Sequence, residues 1–370
     1  MIRSGTAALA LGVSLSFACL PPLALGQPDA GQTDAGPIDG GNWINATGNL
    51  AGLNSECGNM SLLSSRPEKD QIIAGVAQRG LWTIANGADT WTQLGQGGGS
   101  AIVTNRPSAI VYDPGHPDTF WESGIYNGGG VYRTQDSGIT VVQLGSAIHS
   151  DLVSIDFSDP ARRTLLAGTH EQSGKLLRST DGGSTWIDIG AQLPAGAGYS
   201  VSPLVIDAQT HLLGTYSTAG SGVFRTTNGG TSWTQTYSGG VFGHPLTASD
   251  GSIYWLLDGG GGLIRSATDK GISWTKMIGS GTLGASVAGV LELPDGRLST
   301  VGSNYVLVSS DHGATWGQRG APLPYAPVGL IYSRFRKAFY IWHFDCTFDP
   351  SGDPVPADAI ERLPFDWQTQ

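Results

Sequence analysis

The sequence predicts an all-β chain folded as a seven-bladed β-propeller, and three observations predict it. The first is a recurring turn that ends in tryptophan. Its clearest copy is Ser179-Thr180-Asp181-Gly182-Gly183-Ser184-Thr185-Trp186, repeated from Thr226 to Trp233 and from Ser309 to Trp316. Looser copies run from Arg265 to Trp274 and from Arg133 to Val141. The second is spacing: Asp136, Asp181, Asn228, Asp269 and Asp311 follow one another at intervals of 45, 47, 41 and 42 residues, about the length of one four-stranded blade. The third is composition. With 56 glycines and 14% charged residues in 370, the chain suits many short strands joined by tight turns.

At the N-terminus Arg3 precedes an apolar stretch from Ala7 to Leu20, and small residues follow, which is the layout of an export signal. Ala24-Leu25-Gly26 offers a cleavage site, making residues 1–26 a signal peptide and the mature protein secreted. Lipid attachment at Cys19 is the rival reading, which Ser16 and Phe17 fit poorly. Residues 27–41 are rich in Asp, Ala, Gly and Pro and are expected to form a disordered spacer.

The propeller then occupies residues 42–370. Blade 1 carries QIIAGV and a degenerate turn at Asn86–Trp91, and blade 2 begins near Ala109 and continues through TFWESG. In blade 3, alternation places strands at Leu152–Phe157, Thr164–Gly168, Lys175–Arg178 and Trp186–Ile189. Blades 4, 5 and 6 span Ser202–Tyr237, Pro245–Met277 and Val287–Arg319. A seventh unit, VGLIYS then AFYIWHF, lacks the turn. Its outer strands are expected from Asp358–Pro364 and Asn42–Thr47, so that the two ends of the chain close the ring and leave no strand edge open.

The formal charge is −10, or −11 without residues 1–26, and there is no Lys/Arg cluster. That balance argues against nucleic acid or an anionic membrane as partner. No later segment is long and apolar enough to span a bilayer, and a monomer is expected. Export leaves Cys57 and Cys346 near opposite ends. A disulfide between them would lock the first blade to the last; two buried thiols are the alternative.

The recurrent turn has a structural task. Its Asp/Asn and Ser/Thr side chains bond turn amides, its glycine permits positive φ, and its tryptophan fills the space between strands. It also sorts the other residues. If it joins the third and fourth strands (C and D), the start of strand A and the end of strand B lie on the opposite rim. His149, His170, His244 and His343 fall on that rim. So do Arg79, Arg106, Glu122, Tyr126, Asp151, Glu171, Tyr199, Tyr216, Trp255 and Asp258. His149 stands out because Asp151, two residues on, could fix its tautomer. No short-range ligand spacing supports a metal site.

These groups suit abstraction of the proton beside a uronic-acid carboxylate. That chemistry needs a base, a cation on the carboxylate and a proton donor to the leaving oxygen. His149 as base, Arg106 and Arg79 as clamp, and Tyr216, Tyr199 or His170 as donor meet it. Tyr126, Asp151, Glu171, His244, Trp255 and His343 would line the substrate. A glycoside hydrolase would instead use two carboxylates among Glu122, Asp151, Glu171 and Asp258. A non-catalytic glycan-binding ring is a third reading.

The turn pattern resembles the Asp-box (BNR) repeat of sialidase-like β-propellers. Sialidase chemistry itself is not expected, because an arginine triad is not evident and Ser65-Arg66-Pro67 only faintly echoes the motif. Longer stretches are similar to secreted seven-bladed lyases that act on L-rhamnosyl-α-1,4-D-glucuronate ends, as in gum arabic and related arabinogalactans. These are residues 119–138, 149–160, 165–186, 203–214 and 337–346. The resemblance covers about residues 50–365 and implies β-elimination on a uronate polysaccharide. Histidine chemistry of this kind needs no redox cofactor; a structural Ca²⁺ in the axial channel is compatible with it.

Overall fold

The computed structural model describes residues 41–53, 55, 60–95, 99–277, 283, 289–343, 350–351 and 359–369. The expected signal peptide, nearly all of the spacer, and both Cys57 and Cys346 lie outside these residues.

Twenty-eight strands form seven four-stranded antiparallel sheets among the described residues. Blade 1 holds β2 (Met60–Ser65), β3 (Gln71–Val76), β4 (Gly80–Ala85) and β5 (Thr92–Gln93). Blade 2 holds β6 (Arg106–Tyr112), β7 (Phe120–Ile125), β8 (Val131–Thr134) and β9 (Val142–Gln143). Blade 3 holds β10 (Ser150–Ile155), β11 (Leu165–Thr169), β12 (Leu176–Ser179) and β13 (Ile187–Asp188). In blade 4, β14 (Tyr199–Val205) and β15 (His211–Tyr216) are the A and B strands; in blade 5 they are β18 (Val241–Thr247) and β19 (Ile253–Leu257). Blade 6 ends with β25 (Gly317–Arg319). Strand A of one blade neighbours strand A of the next, so the A strands line the axis.

Blade 7 joins the two ends of the described fold. Its order is β1 (Ile44–Asn45), β28 (Ala359–Pro364), β27 (Ala338–His343) and β26 (Gly329–Ser333). Ile44 pairs with Arg362 and Asn45 with Glu361, which is the closure the sequence predicts. Thr47 extends it, since its Oγ1 accepts the Ile360 N–H at 2.8 Å.

Alternation along each strand sends apolar side chains to both faces, so a separate core forms at each blade boundary. Ile72 joins the cluster with Tyr340, Trp342 and Ile360 of blade 7, while Ile73 and Leu81 meet Phe120 of blade 2. Likewise Leu165 packs towards Trp121 and Leu166 towards Leu213 and Phe224. Burial on both faces is what lets a strand read as a continuous apolar run.

The recurrent turns sit between strands C and D as predicted, and five of them, four ending in tryptophan and one in Val141, each build the same hydrogen-bond cage. In blade 3, Asp181 Oδ1 accepts the Ser179 hydroxyl at 2.8 Å and the Thr185 N–H at 2.9 Å, and the Gly183 N–H donates to Ser179 Oγ. Asp136, Asn228, Asp269 and Asp311 repeat the arrangement. The carboxylates are consumed by their own turns, and Gly183 at φ +92° occupies a conformation that disfavours side chains.

A candidate active site on the rim of the ring

The starts of the A strands and the ends of the B strands meet on the rim opposite the cages. In five blades the A–B ladder is irregular there, with register shifts at Met60/Leu62, Pro107/Ala109, Ser150/Leu152, Tyr199/Ser202 and Phe242/Leu246. Bulges of this kind re-aim side chains.

Blade 3 shows the consequence. His149 and Asp151 would share a face in a regular strand, but the shift between Ser150 and Leu152 breaks the alternation. Asp151 therefore serves His170 and not His149: His170 Nδ1 lies 2.9 and 3.2 Å from the two carboxylate oxygens. This corrects the expectation that Asp151 orients His149. With Nδ1–H donating to Asp151, Nε2 accepts from the Tyr126 hydroxyl at 3.0 Å. His149 contributes otherwise. Its carbonyl accepts the His170 N–H at 2.7 Å, and its ring stands edge-on to Tyr126 with centroids 5.5 Å apart. Tyr126, His149 and Glu171 all have left-handed backbones, with φ +56°, +52° and +51°. Such strain in non-glycine residues costs about 1–3 kcal/mol each and clusters at functional sites.

Charge converges on the same place. Burial opposes protonation of His170, but the hydrogen bond to Asp151 and the charges of Asp151 and Glu171 outweigh it, with Arg106 opposing; its pKa lies above the ordinary value. Glu171 Oε1 is 3.7 Å from His170 Nε2. Arg106 opens β6 opposite Ile125, beside Tyr126. Tyr199 and Tyr216 pair across blade 4 with rings 5.5 Å apart. Burial first, then negative charge including that of Asp151, pushes the Tyr216 hydroxyl up to about 12, so near neutral pH it holds its proton. His244 is exposed on this rim; desolvation by neighbouring protein holds its pKa below the ordinary value, partly offset by Asp151.

Several predicted lining residues are elsewhere or engaged. Trp255 does not line the rim: it is wholly buried in the core between blades 4 and 5, and its indole donates to the Gly243 carbonyl. His343 ends β27 against the ring of Tyr325, with Nδ1 3.3 Å from the Ala326 carbonyl oxygen. Glu122 is sealed inside blade 2 at 1% exposure and is not a rim carboxylate. Arg79 is exposed in the tight turn between β3 and β4, on the same rim. Arg66 is buried near the opposite rim beside Asp118. Sequence reasoning missed Phe242, whose ring meets Tyr216 edge-on at 5.0 Å. An aromatic two residues before His244, where strand A starts, was the available signal.

The opposite rim carries a cavity of about 560 Å³ between blades 3 and 4, walled by Asp156, Asp159, Arg163, Arg178 and Asp207 among others. Its three carboxylates already accept loop amides, whereas the Tyr126–His170 pair is half-buried at the other rim. Among the described residues, no three His, Cys, Asp or Glu side chains converge as a metal site, and no helix is long and apolar enough to cross a membrane.

No family model matches the chain. It is 25% identical over 285 residues to a xyloglucanase of Hypocrea jecorina, covering 71% of this chain and 31% of that protein. The chain thus spans about a third of that relative's length. Among solved structures, a catalytically inactive virginiamycin B lyase from Staphylococcus aureus with quinupristin superposes with a TM-score of 0.57 at 14% identity. That match covers 88% of this chain and 99% of the other. YCF48 bound to D1 peptide superposes at 0.51 and 15% identity, over 90% and 97%. The fold is a seven-bladed β-propeller. At such identities the likeness extends to the fold alone, and propellers of this kind include both enzymes and a peptide-bound protein.

Proposed function

We propose that the protein is a secreted polysaccharide lyase that opens an L-rhamnosyl-α-1,4-D-glucuronate linkage by β-elimination. The observation that carries this reading is the chain Tyr126–His170–Asp151 on the rim, with Arg106 close enough to oppose the charge on His170. Arg106, with Arg79 on the same rim, binds the uronate carboxylate and steadies the charge that develops as the C5–H bond breaks. The base is His170, acting through the phenol: Tyr126 oxygen takes the C5 proton while its own passes to Nε2, and Asp151 stabilises the imidazolium. The C5 electron pair forms the C4=C5 double bond, and the C4–O4 bond breaks. Tyr216, which keeps its proton, donates it to the departing oxygen. His149, given the role of base from sequence, here steadies the Tyr126 ring.

Gum arabic incubated with the mature protein should yield the ultraviolet absorbance of an unsaturated uronate. His170→Ala should lower that rate by about 100- to 10,000-fold, while His343→Ala should leave it near wild type. Hydrolysis is the second reading, favoured by the likeness to the xyloglucanase. Reducing sugar released without the absorbance would establish it, with Glu171 and Asp258 as carboxylates. Glycan binding without any product would leave a recognition propeller.

A further inference from the structure

One buried acid lies beneath the rim and takes no part in the mechanism above. Glu122 sits mid-strand in β7, opposite Ile110 of β6 and Tyr132 of β8. Asn105, also fully buried, immediately precedes Arg106. The two hydrogens of Asn105 Nδ2 are spent on Glu122 Oε2 at 3.3 Å and on the Gly129 carbonyl at 2.8 Å. The Gly129 N–H in turn donates to the Tyr132 hydroxyl at 2.9 Å. Asn105 therefore ties down the loop 125–130 that presents Tyr126. Its own carbonyl accepts the Gln78 N–H at 3.1 Å, fixing the turn that carries Arg79. Through its side chain and its backbone carbonyl, one residue thus holds the platforms of three rim residues. A methyl group on Gly124 would lie 2.2 Å from Asn105 Cγ, so glycine is required for the amide to reach this place.

Asn105 Oδ1 and Glu122 Oε1 remain as buried acceptors without a partner among the described residues. With the amide spent, the donor among the described groups that can serve these oxygens is the acid's own proton. We propose that Glu122 is a positioning residue, held un-ionised beneath the rim, whose proton keeps the Asn105 amide on Gly129 and so keeps Tyr126 against His170. Ionised, the carboxylate would compete for both Nδ2 hydrogens and draw water into blade 2, releasing the loop.

The surroundings agree. Burial pushes the Glu122 carboxyl up to about 8, against a lowering hydrogen bond from Asn105. It faces Asn105, just before β6, Ile110 of β6, and from β8 the un-ionised Tyr132, whose own pKa burial raises. By alternation it points to the side of Phe120, whose partners from blade 1 are Ile73, Leu81 and Leu94. Among the described residues no Lys, Arg or His forms an ion pair with it. An acid protonated when the loop is shut and ionised when it opens makes opening pH-linked.

The role of Tyr126 in catalysis rests on the reading proposed above, but the latch can be tested without substrate. Amide hydrogen exchange of residues 125–130, corrected for intrinsic rates, should show an opening equilibrium that rises by up to about tenfold per pH unit and levels off above about 8. Glu122→Gln, which keeps the shape and cannot ionise, should flatten this slope. Infrared difference spectra should show a protonated carboxyl band in the wild type that is missing from Glu122→Gln. If the variant does not fold, the wild-type slope and band decide alone. A pH-independent opening, an equal slope in the variant, or no protonated carboxyl at neutral pH would overturn the proposal. A pH-linked opening that Glu122→Gln abolishes, with no lyase activity in any form, would leave the latch standing and sink the function instead.

Discussion

At the scale of residues, the rim depends on where one carboxylate points. Asp151 holds His170 by hydrogen bond and by charge, against burial that favours the neutral ring. Asp151→Asn keeps the shape and removes the charge, so the His170 pKa should fall, which an NMR titration of the imidazole carbons would read directly. The sign of the stability effect follows. A histidine with a raised folded-state pKa contributes stability that is full below its ordinary 6.5 and is lost as pH rises through the raised value. Urea unfolding should therefore separate wild type from Asp151→Asn most at mildly acid pH and least at alkaline pH. An unmoved titration midpoint would mean that the pair seen here does not govern the imidazole. The same residue shows the limit of sequence reasoning. His149-Ser150-Asp151 reads as a pair two residues apart on one face, and only the bulge in β10 sends Asp151 to His170.

At the scale of elements, the recurrent turn and the bulged strand start divide the labour of each blade. Turns at one rim consume their carboxylates, and bulges at the other free polar side chains from the ladder. Asp311 accepts the Thr315 N–H at 2.8 Å and the hydroxyls of Ser309 and Thr315. Asp311→Ala strands those donors at a half-exposed turn, so it should lower stability by about 1–2 kcal/mol in urea unfolding. The His170 titration should not change, because the cage and the rim lie at opposite ends of the strands; a shifted midpoint would contradict this division. The turns were legible because five copies share residue types and spacing. The bulges were not, since a register shift leaves no mark in residue identity at Ser150 or Ser202. Glu122 and Trp255 were misplaced for a related reason. Period-two alternation says which side a residue faces, but in a ring both sides are interblade core, so a polar or aromatic side chain in mid-strand, such as Glu122 or Trp255, is sealed whichever way it points.

At the scale of the molecule, seven blade boundaries each hold an apolar cluster, and the last exists only because the two ends of the described fold meet. The period in the sequence counts the blades that carry the turn; blade 7 carries none and was legible from its leftover strands alone. Its closure is held by β1 against β28, by Thr47 bonded both ways to Ile360, and by the Trp43 indole donating to the Ala321 carbonyl. A protein beginning after Thr47 would lose all of these and expose the edge of β28, an open template for pairing with another chain. Compared with one beginning at Gly41, it should unfold at lower temperature by calorimetry and associate with rising concentration by light scattering. A peptide of residues 41–47, added in trans, should restore part of both, because it supplies the missing strand and the Thr47 hydroxyl that bonds Ile360. Equal melting and no change in association would show that the six other boundaries hold the ring without its clasp.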